Sequence, residues 1–251
     1  MGSGADRSEA LRERWRSLGV DLGVTGSARA SSETSSGAAL SGAASWDDVG
    51  ERLLEAYGAA GRAYHGLDHL VAVLDLLERL WPHPDRPVPP AVRAAAWFHD
   101  AIYDPRRADD EVRSAAWARS ALGAAGAAAA ADLAARLVEA TAGHRLTADL
   151  VVTPGAACFL DADLAILGAA PAAYDRYVEA VRIEYAHFDD VAFGSGRLAV
   201  LNDLAARPHL YLSGRGRARF EAAARANLAR EIDGLRSGHP EGAGPREGPG
   251  S

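Results

Sequence analysis

The chain has 251 residues, 48% of them hydrophobic, enough to bury one sizeable core or at most two small ones. A formal net charge of −7 argues against a general nucleic-acid or anionic-membrane binder. Cys158 is the only cysteine, which excludes an intramolecular disulfide and fits a reducing compartment.

In chain order, residues 1–10 read as a disordered tail, polar throughout and with no apolar run behind them to make a signal peptide. Leu11 to Leu18 has helical periodicity, with Leu11, Trp15 and Leu18 on one face. Residues 26–44, mostly Ser, Gly and Ala, read as a flexible low-complexity loop inside a single domain over 11–236. Ser45 and Asp47 or Asp48 are caps for a helix carrying Val49, Leu53, Leu54 and Tyr57. Leu67 to Leu80 carries an apolar stripe of Leu70, Val71, Leu74, Leu77 and Leu80.

The prolines of Trp81 to Pro90 make a loop, and Ala91 to Tyr103, apolar nearly all round, is a buried central helix. Asp109 and Asp110 open a helix to about Gly123, and further helical patterns cover Ala127–Ala142, Ala156–Leu167, Pro171–His187, Asp190–Ala206 and Ala218–Leu235. Leu150-Val151-Val152 is the single short strand candidate and reads better as a helix end. Ala124–Ala135, broken by Gly126 and Asp132, is too short and weakly apolar to span a bilayer, and residues 237–251 form a Gly/Pro-rich tail. An all-α, soluble, cytoplasmic protein is the expectation.

Four segments offer metal-ligand chemistry: His65-Gly66-Leu67-Asp68-His69, His99-Asp100, His144, and Asp161-Ala162-Asp163. Imidazole with carboxylate is the donor set of a hydrolytic divalent-metal site. His65 and His69, four apart, share a helical face. Glycine follows the first of them where HExxH metalloproteases need glutamate, so that chemistry is excluded. An ionised Asp100 behind five apolar residues needs a partner, a metal ion or an arginine such as Arg93 or Arg106. Asp161 and Asp163, two apart, face different ways, so one of them at most is a direct ligand and the other suits a helix start. His144 ends a helix, where the dipole alone favours histidine. Arg182 lies in an apolar, aromatic context suited to pairing or to holding an anion. Glu111 is a helix N-terminal charge or a group reaching a second metal or a bound water.

With those residues laid out, the chain resembles the HD-domain superfamily of metal-dependent phosphohydrolases, carrying its ordered elements as His69, His99-Asp100 and Asp163. The similar stretches are Tyr64–His69, Trp97–Asp104, Phe159–Leu164 and Arg182–Tyr185, within a span of about Trp46 to Leu235. The resemblance implies an HD-like multi-helix bundle with a metal site between central helices. Its ligands would be His69, His99, Asp100 and Asp163, holding Mn, Fe, Ni, Co, Zn or Mg. His144 and Glu111 could complete a second metal position, and Arg182 would neutralise phosphate charge. A more distant similarity to cyclic-nucleotide phosphodiesterases makes His65 a proton donor to the leaving group, with a departure at Gly66, where those enzymes carry Asn. The expected activity is hydrolysis of a small phosphorylated substrate, a nucleotide or another metabolite, by metal-activated water. The rivals are an HD-type diiron oxygenase, in which His65 and His144 become ligands, and a non-catalytic nucleotide-binding module.

Overall fold

A computed structural model describes residues 4–24 and 44–238, and every described element is helical. The loop expected at 26–44 falls outside the described residues apart from Ala44, as does the tail beyond 238. Where the sequence reads as one domain over 11–236, the chain groups into two compact units, Met1–Asp163 and Leu164–Ser251.

The first unit opens with α1 (Gly4–Asp21), so residues 4–10 are helical and not part of a tail. Leu11, Trp15 and Leu18 form its buried face, which gives those residues a reason to continue the helix. Helix α2 (Trp46–Tyr57) starts at a capping box in which Ser45 Oγ accepts from the Asp48 N–H and the Asp48 carboxylate accepts from the Ser45 N–H. The two helices are joined by a reciprocal tryptophan pair. The Trp15 and Trp46 rings stack at 4.0 Å, and each indole N–H donates to the other residue's carbonyl. Gly50 permits this approach, since a Cβ there would lie 2.4 Å from the Trp15 ring.

Helix α3 (Leu67–Leu80) buries Leu70, Val73, Leu74, Leu77 and Leu80. Val73 takes the place expected for Val71, because i, i+3, i+4, i+7 from Leu70 passes through 73. Helix α4 (Pro90–Phe98) begins with proline at its first turn and is buried nearly all round, as its composition suggests. It stops at Phe98, five residues short of the expected Tyr103, so His99 and Asp100 stand in the turn behind it. Partners outside the helix end it: the Tyr57 hydroxyl accepts the Asp100 N–H, and Arg62 takes the Asp100 and Ala101 carbonyls. Buried Ser114 on α5 (Asp110–Ala124) then holds Ile102 through both its N–H and its carbonyl. Next come α6 (Ala128–Thr141), the one-turn α7 (Ala148–Val151) where the strand candidate lay, and α8 (Ala156–Asp163). Asp161 is therefore inside α8 and not at a helix start, because the helix begins five residues earlier.

The second unit starts with a 3-10 turn over Leu164–Gly168, which helical periodicity did not separate from α8. It continues as α9 (Pro171–Glu184), α10 (Asp190–Ala206, capped by the Asp189 side chain) and α11 (Gly214–Gly238). Asn227 on α11 donates to the Leu167 and Ala169 carbonyls, and the Glu221 carboxylate accepts from the Leu210 and Tyr211 N–H groups. No single helix among the described residues is long and apolar enough to cross a membrane, though the bent pair Ala156–Gly168 with Pro171–Glu184 meets that test jointly.

Candidate metal centre

Three elements of the first unit aim polar groups at one point: the first turn of α3, the turn behind α4 and the last residue of α8. His69 and His99 face each other with their Nε2 atoms 3.0 Å apart. The Asp100 Oδ2 atom lies 3.4 Å from the first and 3.2 Å from the second. The Asp163 Oδ1 atom lies 3.2 and 3.5 Å from the same two nitrogens. The histidines are buried, while the Asp100 and Asp163 side chains keep 19% and 12% of their exposure, so the centre opens on its carboxylate side.

These distances have a chemical meaning. Metal–donor bonds of about 2.0–2.2 Å set neighbouring donors around one ion about 3.0–3.5 Å apart. Two imidazole nitrogens at 3.0 Å also need a hydrogen or a metal ion between them. His99 Nδ1 lies 2.9 Å from the Ala96 carbonyl, a bond in which the ring donates. That leaves Nε2 as the nitrogen facing the centre, the atom that takes up either a proton or a metal ion. His69, His99 and Asp100 thus form a group that could hold a metal ion, the one such group among the described residues.

Electrostatics agree with the geometry. Burial pushes the His69 imidazole down, but the Asp100 and Asp163 carboxylates overcome it and raise the pKa to about 9. His99 is raised by the same balance. Burial pushes the Asp100 carboxyl up, and His99 and His69 reverse this to hold it well below the usual range. Asp163 is lowered likewise, by His99, His144 and His69 against its burial. The cluster keeps both carboxylates ionised and two imidazoles turned on them, a concentrated cation-seeking site.

The other expected site residues are placed differently. His144 aims its Nε2 at Asp163 Oδ2, 2.8 Å away, and so holds the oxygen opposite the one that faces His69 and His99. Its φ of 46° is the one positive value outside glycine among the described residues, a backbone cost that fits a residue held for its side chain. The His65 ring lies 5.7 Å from that of His69 and stacks on Tyr103 at 4.5 Å. Glu111, half-buried in the first turn of α5, is outside the converging group. Arg182, on α9 of the second unit, donates to Asp190 and to the Tyr185 and Phe188 carbonyls and lies over the Phe193 ring. Asp161 is buried, whereas the carboxylate that meets the histidines is that of Asp163.

Two residues at the centre had no assigned role in the sequence reading. Tyr57 reads there as one more apolar residue of α2; its buried hydroxyl accepts from the Asp100 N–H at 3.2 Å and lies 3.4 Å from His99 Nδ1. Arg62 lies three residues before His65, and no motif marks it. Gly66 caps α3 without a side-chain bond, and a Cβ there would press on the Arg62 and Tyr57 carbonyl oxygens at 3.3 and 3.4 Å. Comparison with known proteins returns no matching family model, no matching curated protein and no matching solved structure.

Proposed function

We propose that the chain is a divalent-metal-dependent phosphohydrolase of the HD-domain type that cleaves a small phosphate ester. The observation behind this reading is the convergence of two imidazole nitrogens and two carboxylate oxygens at the separations that donors take around one ion. His69, His99, Asp100 and Asp163 would be the ligands, a mixed N/O set suited to Mn, Fe, Ni, Co or Zn. An ion held there supplies Lewis acidity to a phosphoryl oxygen and lowers the pKa of water.

The remaining groups have roles that follow from their positions. Ala96 fixes the His99 tautomer, and His144 holds the outer oxygen of Asp163 so that the inner one keeps its direction. His65 lies in the turn two residues before α3, not on the helical face its spacing suggests, because the helix starts only at Leu67. Half-buried and with its ring 5.7 Å from that of His69, it is placed to give a proton to the departing oxygen. With His144 bonded to Asp163, a single ion satisfies the described donors. Arg182, its donors taken by Asp190, Tyr185 and Phe188, is left out of the mechanism.

The test is a screen of phosphorylated metabolites against protein reconstituted with Mn, Co, Ni or Mg. Phosphate release that needs the metal and stops on chelation is the expected result. Two irons per chain with oxygen-dependent turnover, or a metal-loaded protein that releases phosphate from no ester, would overturn the reading.

A further inference from the structure

Arg62 is half-buried, yet none of its hydrogen bonds described above goes to a carboxylate. Nη1 donates to the His65 carbonyl at 2.9 Å and to the Asp100 carbonyl at 2.7 Å, and Nη2 donates to the Ala101 carbonyl at 3.1 Å. Its guanidinium carbon lies 5.2 Å from the Tyr57 ring centre and 5.4 Å from that of Tyr103. Both tyrosines touch the centre: Tyr57 through the Asp100 N–H, and Tyr103 by stacking on His65. One planar cation therefore ties the segment that carries His65 and His69 to the turn that carries His99 and Asp100.

We infer that Arg62 is the positioning residue that sets His65 and the α3 ligand in register with Asp100. This inference rests on the proposed metal centre. Three carbonyl oxygens in two segments need several donors at fixed angles, and two aromatic faces favour a flat, weakly hydrated cation. Guanidinium supplies both and ammonium supplies neither. A purely electrostatic role would have turned the group toward Asp100 and Asp163, where it would compete with a metal ion for the same oxygens. By bonding carbonyls it stiffens the site and leaves the carboxylates to the ion.

The experiment compares the native chain with Arg62→Ala and Arg62→Lys, using Co(II) as the probe and reading its visible absorption. Arg62→Ala should bind Co(II) about 10–100-fold more weakly at unchanged stoichiometry, as loss of a supporting group around ligands does. Guanidinium ion at sub-denaturing concentration should restore part of the affinity, and Arg62→Lys should remain impaired although its charge is kept. In metal-free protein the His65 ring signals, assigned by their loss in His65→Gln, should shift in both variants as the Tyr103 stacking loosens.

Native Co(II) affinity together with native His65 signals in either variant would overturn the inference; in Arg62→Lys that result would make charge alone sufficient. Neither readout needs turnover. A chain that binds Co(II) but hydrolyses no ester therefore refutes the reaction and still decides the role of Arg62.

Discussion

In the second unit the Glu231 side chain keeps 8% of its exposure and meets Arg197 through two hydrogen bonds, at 2.8 and 3.1 Å, with the Tyr174 hydroxyl donating to the same carboxylate. The guanidinium also donates to the Tyr177 hydroxyl and lies over that ring. In the first unit Asp100 and Asp163 are nearly as buried, but imidazoles meet them, and the nearby arginine turns to backbone carbonyls instead. An arginine closes a site, because its charge is permanent and its fork fills the carboxylate. Histidine leaves the site open, because its proton can be exchanged for another cation. The same problem of a buried negative charge is met by a permanent cation in one unit and by exchangeable protons in the other.

The largest effect that would break this contrast is at Asp100. Asp100→Ala should remove bound metal and reduce phosphate release to background while the helical circular dichroism persists, because it leaves His69, His99 and Asp163, three donors with a single negative charge, to hold a divalent ion. Full occupancy by elemental analysis would show that the central pair is not the ligand. A smaller effect belongs to the second unit. Glu231→Gln leaves Arg197 buried without its counter-charge and should cost about 3–5 kcal/mol in chemical denaturation. The loss should be the same with and without added metal, and a metal-dependent loss would erase the distinction.

The mildest effect is in pH dependence. His69 is raised from 6.5 to about 9, so it stabilises the metal-free fold fully below 6.5 and loses that contribution as pH rises through 9. In the second unit burial pushes Glu221 up from 4.5, but the Leu210 and Tyr211 N–H groups and Arg225 bring it below that value. It stabilises above 4.5 and fails only as pH falls. The melting temperature of chelator-treated protein should therefore decline between pH 6.5 and 9, and saturating metal should flatten the decline. A flat curve without metal would mean that His69 is not held charged by its carboxylates.

The proposed ligands were legible in the sequence through the ordered set that resembles the HD-domain pattern and, for His99-Asp100 and Asp163, because a polar group inside an apolar run demands a partner when buried. Asp163 and Asp161 have the same surroundings in sequence; the resemblance pointed to Asp163, and the direction of each side chain in α8 separates them physically. The end of α4 was not legible, since Ala101, Ile102 and Tyr103 continue its apolar pattern and the helix is stopped by Tyr57 and Arg62 from elsewhere in the chain. Arg62 was invisible for the same reason: a hydrogen bond to a distant carbonyl leaves no pattern along the chain. Helices α2 and α3 were the clearest elements, having both a periodic face and defined ends.

The tryptophan pair between α1 and α2 has an optical consequence. Two indoles stacked at 4.0 Å, with interplanar angle 8° and a third, Trp97, edge-on at 5.2 Å, have coupled electronic transitions. Their joint circular-dichroism band exists only while both helices are seated, so the first unit contains its own reporter for the docking of its N-terminal helix, readable without any added label.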